Sequence, residues 1–171
     1  MPFWPRTFPA SDIIAGVTHL YFDDEIYGHN AVANYFYTFW CSLTAEGHKP
    51  CRADFRPSRF KEFLDRVVML DVGEMEGHLR LHVRLVGTHV SAFYGEIAGG
   101  DIDAMENTEA VNRIYESCSQ VIESEKPVLR ITTGIAQDKI HLVGHTLYMP
   151  LFDNKGAVVK LLVCVDVTTT S

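Results

Sequence analysis

The side chains in this 171-residue chain best able to ligate a metal, carry a thiolate or move a proton are eight histidines and four cysteines. Their spacing decides which chemistry is open. His141 and His145 lie four apart on an expected strand and share a face. At about 3.3 Å per residue they stand ~13 Å apart, whereas two ligands of one zinc lie within about 4 Å of each other. The same arithmetic rejects His78 with His82. It leaves open a cross-strand pairing of His82 with one of the later histidines, but the reading is that the chain holds no metal. Cys41, Cys51, Cys118 and Cys164 form no Cys-x-x-Cys pair. A domain of this size needs no disulfides, so they read as free thiols in a reducing cytosol.

Acid–base chemistry has one candidate, Asp101-x-Asp103 with Glu106. These anions suit helical turns and the start of a long helix, where they meet the positive end of the dipole. No Gly-x-Ser-x-Gly elbow is present, and no serine is marked by its neighbours as a nucleophile. Gly99-Gly100-Asp101 opens no helix after a buried strand, and neither phosphate-binding glycine signature occurs. The chain is therefore read as having no catalytic residues. A small α+β isomerase or cyclase is the third-ranked function.

Composition narrows the classes further. Hydrophobic residues make up 47% and charged residues 22%, which suits a folded domain with its own core. A net charge of -7 repels phosphate backbones, and the fifteen basic residues stand apart rather than in a run, so nucleic acid is not expected as a partner. No apolar stretch approaches ~20 residues, so no membrane span is expected. The N-terminus lacks a basic patch followed by an apolar run, and the protein is read as cytoplasmic.

The elements that must position these residues follow from periodicity. Residues 1–29 read as an aromatic, proline-containing arm. From Asn30, Val32, Tyr35, Phe36, Phe39, Trp40 and Leu43 recur at helical steps. Asn30 is an N-cap, with Gly47 and Pro50 as the stop. A short helix is expected near Pro57. Residues 67–72 and 79–85 read as a hairpin, with Leu79, Leu81, Val83 and Leu85 alternating with polar residues. Short helical turns fill 88–106. A helix from Asn107 or Thr108 carries the stripe Val111, Ile114, Tyr115, Cys118, Val121 and Ile122, and Pro127 ends it. Three strands close the chain at roughly 128–136, 140–150 and 157–167, the last central because it is almost wholly apolar. The sum is α+β: a five-stranded antiparallel sheet with helices on one face, plus an N-terminal helical extension. The boundaries are 1–50 for the arm and amphipathic helix and 51–171 for the domain.

That order resembles the PAS fold. Arg84-Leu-Val-Gly-Thr88 after a hairpin, with Tyr94-Gly95 six residues on, is similar to a proteobacterial branch of PAS domains. Trp40, Arg52-Ala-Asp-Phe-Arg-Pro57, Pro127-Val128 and Tyr148-Met-Pro150-Leu151 add to the likeness, which covers roughly residues 36–166. The resemblance implies a cytosolic sensory or interaction module, often a homodimer. PAS domains use haem through a histidine on the long helix, yet residues 107–124 contain none. Flavin photochemistry needs a cysteine on the small helices, and residues 88–106 contain none. The cofactor is therefore left unknown. Few residues follow the last expected strand, so output is expected through the N-terminal helix or a separate signalling protein.

In such a fold a ligand lies between the sheet, the small helices and the long helix. The candidates to line it are Phe93, Tyr94, Ile114, Tyr115 and Cys118, with His145 and Tyr148 from the sheet. The alternative is that these side chains fill the space and the chain is a ligand-free interaction module. Its dimer interface would then use Tyr35, Phe36, Phe39 and Trp40, aromatics of the kind enriched at interfaces. Arg84 points to the opposite sheet face from Leu81 and Val83. It is expected, with Thr88 beside it, to dock the N-terminal extension through a carboxylate or carbonyl.

Overall fold

The computed structural model describes residues 17–139 and 141–169. In chain order the elements are β1 (Val17–Phe22), α1 (Ala31–Thr44), β2 (Val67–Met75), β3 (His78–Val86), α2 (Thr88–Tyr94), α3 (Thr108–Ser124), β4 (Val128–Thr133), β5 (Leu142–Phe152) and β6 (Val158–Thr169). Short 3-10 turns join them. All strands belong to one antiparallel sheet in the order β1-β4-β5-β6-β2-β3. The hairpin is hydrogen-bonded to the terminal strands through β2 and β6, and β6 lies inside the sheet.

Two expectations are corrected. The sheet has six strands rather than five, because part of the segment read as an arm forms β1, paired with β4 from Val17↔Thr133 to Phe22↔Val128. An edge strand half open to water is specified by its ladder more than by its own hydrophobic alternation, and β1 shows no buried residue. The rest of the arm, residues 1–16, lies outside the described residues. Second, helical structure covers both faces, not one. α2 and α3 pack on one face, and α1 with the turns of residues 52–66 packs on the other.

Local chemistry explains each element. Asn30 accepts from the Ala33 amide at 2.9 Å and caps α1, and Asn107 does the same for α3 through Ala110 at 3.0 Å. The stripe Ala110, Val111, Tyr115, Cys118 and Val121 seats α3 on the sheet, and Val32, Phe36, Tyr37 and Trp40 seat α1. The β2–β3 hairpin turns in two residues, Glu76 and Gly77, both with positive φ, which matches the strands' twist.

Among the described residues, Arg84 meets a carboxylate of the sheet and not one of the extension. It donates from Nε to Asp71 at 2.8 Å, and Asp71 also receives Lys160. The pair staples β3, β2 and β6 together on the face opposite the cavity described below. Thr88 opens α2 and is exposed. Gly87, between them, is held by close approach: its amide donates to Val67 at 2.8 Å, and a Cβ there would lie 2.2 Å from the Asp65 carbonyl oxygen. Backbone on both sides leaves no room to yield, so Gly87→Ala is expected to destabilise the fold by about 2 kcal/mol or more. A urea midpoint within error of the parent protein would refute this packing.

Candidate ligand cavity

A partly open cavity of about 50 Å³ lies between the sheet, α2, the turn at Ile102–Ala104 and α3. Strand alternation decides its floor. Val68 and Leu70 of β2, Val163 and Val165 of β6, Arg130 and Thr132 of β4, and Gly144, Thr146 and Tyr148 of β5 all face it. Val90, Tyr94, Ile97, Ile102, Met105, Ala110, Arg113 and Ile114 close it from above. Gly144 keeps the floor open: a Cβ there would meet Ile135 at 3.0 Å and the Tyr94 hydroxyl at 3.7 Å. The walls are mostly aliphatic, and six polar side chains interrupt them.

Of the seven residues expected here, Tyr94, Ile114 and Tyr148 line the cavity. Tyr115 and Cys118 are buried in the same core but do not reach it. Phe93 faces a neighbouring open cleft with Asn107 and Lys139, and its carbonyl accepts from Lys139 Nζ at 2.7 Å. His145 is on the wrong side of the sheet, since 145 and 148 differ by an odd number; its Nδ1 lies 3.2 Å from the Asp166 carbonyl oxygen. Arg113, Arg130, Thr132 and Thr146 were missed. The available signal was parity: Val128, Arg130 and Thr132 share a face, and an arginine between leucine and isoleucine on a strand is out of place unless something inside wants it.

Burial pushes the Tyr94 hydroxyl above its usual range, against the opposing charge and hydrogen bond of Arg113. Burial raises Tyr148 and Cys118 as well. All three stay protonated near neutral pH.

The other chemical candidates resolve differently. Asp101 is held by Arg80 at 3.0 Å and His82 at 3.1 Å, which ties its loop to β3, while Glu106 lines the open cleft. His82 on β3 is separated from the histidines near β5 by β2 and β6, three sheet spacings or ~14 Å, so that pairing is ruled out. His48, Cys51 and Asp54 bring ligand atoms within 4.8 Å of one another. They already satisfy each other, however, with His48 Nε2 2.7 Å from Asp54 and the Cys51 amide donating to Asp54 at 2.8 Å. The trio closes a turn. Phe36 and Trp40 of the expected interface lie inside the chain's own core, with Trp40 Nε1 donating to the Pro150 carbonyl at 3.0 Å. Phe39 meets Phe55 and Phe60 edge to face, and Tyr35 stays exposed.

A second polar centre, also missed, is Asp166 on β6. It is 8% exposed and receives Asn30 of the α1 cap at 2.8 Å and Arg66 at 2.7 Å. His89 of α2 stands 3.6 Å away. Burial alone would raise the Asp166 carboxyl. The bonds from Asn30 and Arg66 and the charge of Arg66 outweigh it and hold the group below the ordinary carboxylate range. Beyond Cys164, β6 has no strand neighbour on the β2 side, and His89 Nε2 fills that place by accepting from the Val167 amide at 3.0 Å. α1 and α2, on opposite faces, are thus both tied to the end of β6, at Asp166 and at Val167.

The PAS domain family model matches residues 29–165. No curated protein and no solved structure matches the chain. No helix among the described residues is long and apolar enough to cross a membrane.

Burial, then the charge of Arg66, lower His89 below its ordinary value, with Asp166 opposing. An accepting Nε2 requires the neutral ring. The unfolded chain therefore binds the proton more readily, so stability is complete above about pH 6.5 and is lost as pH falls through the folded value. His89→Gln keeps an acceptor for Val167 but does not titrate. Melting temperature against pH should fall more steeply for the parent than for this variant between about pH 6.5 and 5. Identical slopes would contradict the assignment.

Proposed function

The chain belongs to the PAS domain family, and from that premise we propose that it is a cytosolic sensory module. It binds a small molecule in the cavity between the sheet and α3 and signals through α1 or a separate partner. The observation that carries this reading is the cavity itself: concave, partly open, mostly aliphatic, with a few polar side chains among its lining, which is the usual make-up of a small-molecule site. A ligand acts only if it favours one of two arrangements. The end of β6 supplies a route, since His89 of α2, which roofs the cavity, accepts from the Val167 amide while the cap of α1 holds Asp166 beside it. A shift of α2 toward or away from an occupant would alter the anchorage of α1 on the far face.

One observation favours a second reading, a ligand-free interaction or homodimerisation module. Tyr35 is 46% exposed, and Leu64 and Leu85, at 41% and 38%, line a shallow apolar hollow beside it with Phe60. Native mass spectrometry of freshly purified full-length protein separates the two. Sensing calls for a mass above the polypeptide by one small molecule, lost on denaturation. A bare polypeptide with no thermal shift across a metabolite panel would remove that reading. For the second, light scattering should show a dimer that Tyr35→Glu converts to monomer with little change in melting temperature. A mass that does not respond to Tyr35→Glu would remove it.

A further inference from the structure

Two arginines, Arg113 and Arg130, are among the residues that line the cavity, and no carboxylate is. Arg130 is only 3% exposed. Its Nε donates to Ser117 at 2.7 Å and its Nη1 to Thr18 at 2.7 Å, both neutral oxygens. Its Nη2 is buried with no hydrogen bond. The nearest opposite charge to Nη2 is Glu116 Oε1 at 3.3 Å, on a side chain more than half exposed to water. A buried cation so weakly compensated is costly unless an anion comes close. Arg113 shows the same shortfall. It donates to the Ile135 carbonyl at 3.0 Å and to the Tyr94 hydroxyl, and no carboxylate among the described residues pairs with it. Glu109 sits one helical turn earlier, at the spacing that favours an ion pair. It forms none, and its own buried Oε2 has no hydrogen bond.

On the reading that the cavity holds a ligand, we infer that the occupant is a short-chain monocarboxylate, its head between Arg113 and Arg130 and its tail against the aliphatic walls. The planar fork of a guanidinium matches a carboxylate through paired N–H···O bonds. The hydroxyls of Thr132, Thr146 and Tyr148 supply further donors on the floor. A bare inorganic anion would leave Val163, Val165 and Ile114 facing charge with nothing apolar to cover them. Size sets the chain length. On this measure a water needs roughly 10–15 Å³, so about 50 Å³ holds roughly three to five non-hydrogen atoms, a carboxylate with up to two carbons behind it, and a third carbon tests the limit.

The test is calorimetric titration of the full-length protein with propionate and butyrate, beside propionamide, butyramide and inorganic phosphate at fixed ionic strength. The acids should bind at least tenfold more tightly than the amides and than phosphate. Arg113→Met should remove that advantage, and Arg113→Lys should restore part of it. Arg113 is chosen because it is only partly buried, so both variants are expected to fold, which circular dichroism checks. Amides binding as tightly as acids would overturn the carboxylate assignment and leave a ligand-binding cavity standing. Phosphate binding as tightly as butyrate would overturn the requirement for a tail. No binding by any acid would overturn the inference alone if native mass spectrometry still shows a bound molecule, and the sensing reading with it if the polypeptide is bare.

Discussion

The period-two alternation of β5 and β6 is the constraint on which the rest of this structure depends. Each strand serves two interiors at once. Thr146 and Tyr148 face the cavity while Leu147 and Met149 face α1, and Val163 and Val165 face the cavity while Leu162 and Cys164 face α1. Because both faces are covered, neither layer can shift without the strands between them registering it. Close packing makes such a layer bistable rather than compliant. That gives the fold the mechanical property a sensor needs before any ligand is named.

The two buried charges are treated in opposite ways, and the contrast separates structure from function. Asp166 is answered from two directions, by Asn30 and Arg66, each from a different element. A charge so fully answered is a fastening. Arg130 is answered by two neutral hydroxyls and, at Nη2, only by a solvent-facing glutamate 3.3 Å away that makes no hydrogen bond to it. A charge left short beside a cavity is what the proposed carboxylate would complete. Arg84, exposed and paired with Asp71, is neither; a surface pair of that kind contributes at most about 1 kcal/mol.

Much of the fold was legible in the sequence because its signals are periodic. The capped helices after Asn30 and Asn107 and the alternating hairpin reported themselves directly. β1 did not, since an edge strand borrows its order from β4. The cavity was legible as a place but less so as a set of residues. Tyr94, Ile114 and Tyr148 follow from the stripe of α3 and the end of β5. His145 failed because it was chosen by residue type, and parity puts it on the other face. Arg113 and Arg130 were overlooked because a basic residue in an otherwise apolar segment reads as solvent-facing until the neighbouring strands and helices are in place. Phe36 and Trp40 read as interface aromatics because a helical stripe does not say whether the surface that covers it belongs to the same chain.

The most direct measurement is a high-resolution crystal structure of the full-length protein as purified from its own source, without added ligand. The account expects continuous non-protein density in the cavity, with a two-oxygen head within hydrogen-bond distance of both Arg113 and Arg130. Ordered waters alone, or a cavity closed by its own side chains with Arg130 Nη2 bonded to protein, would contradict it.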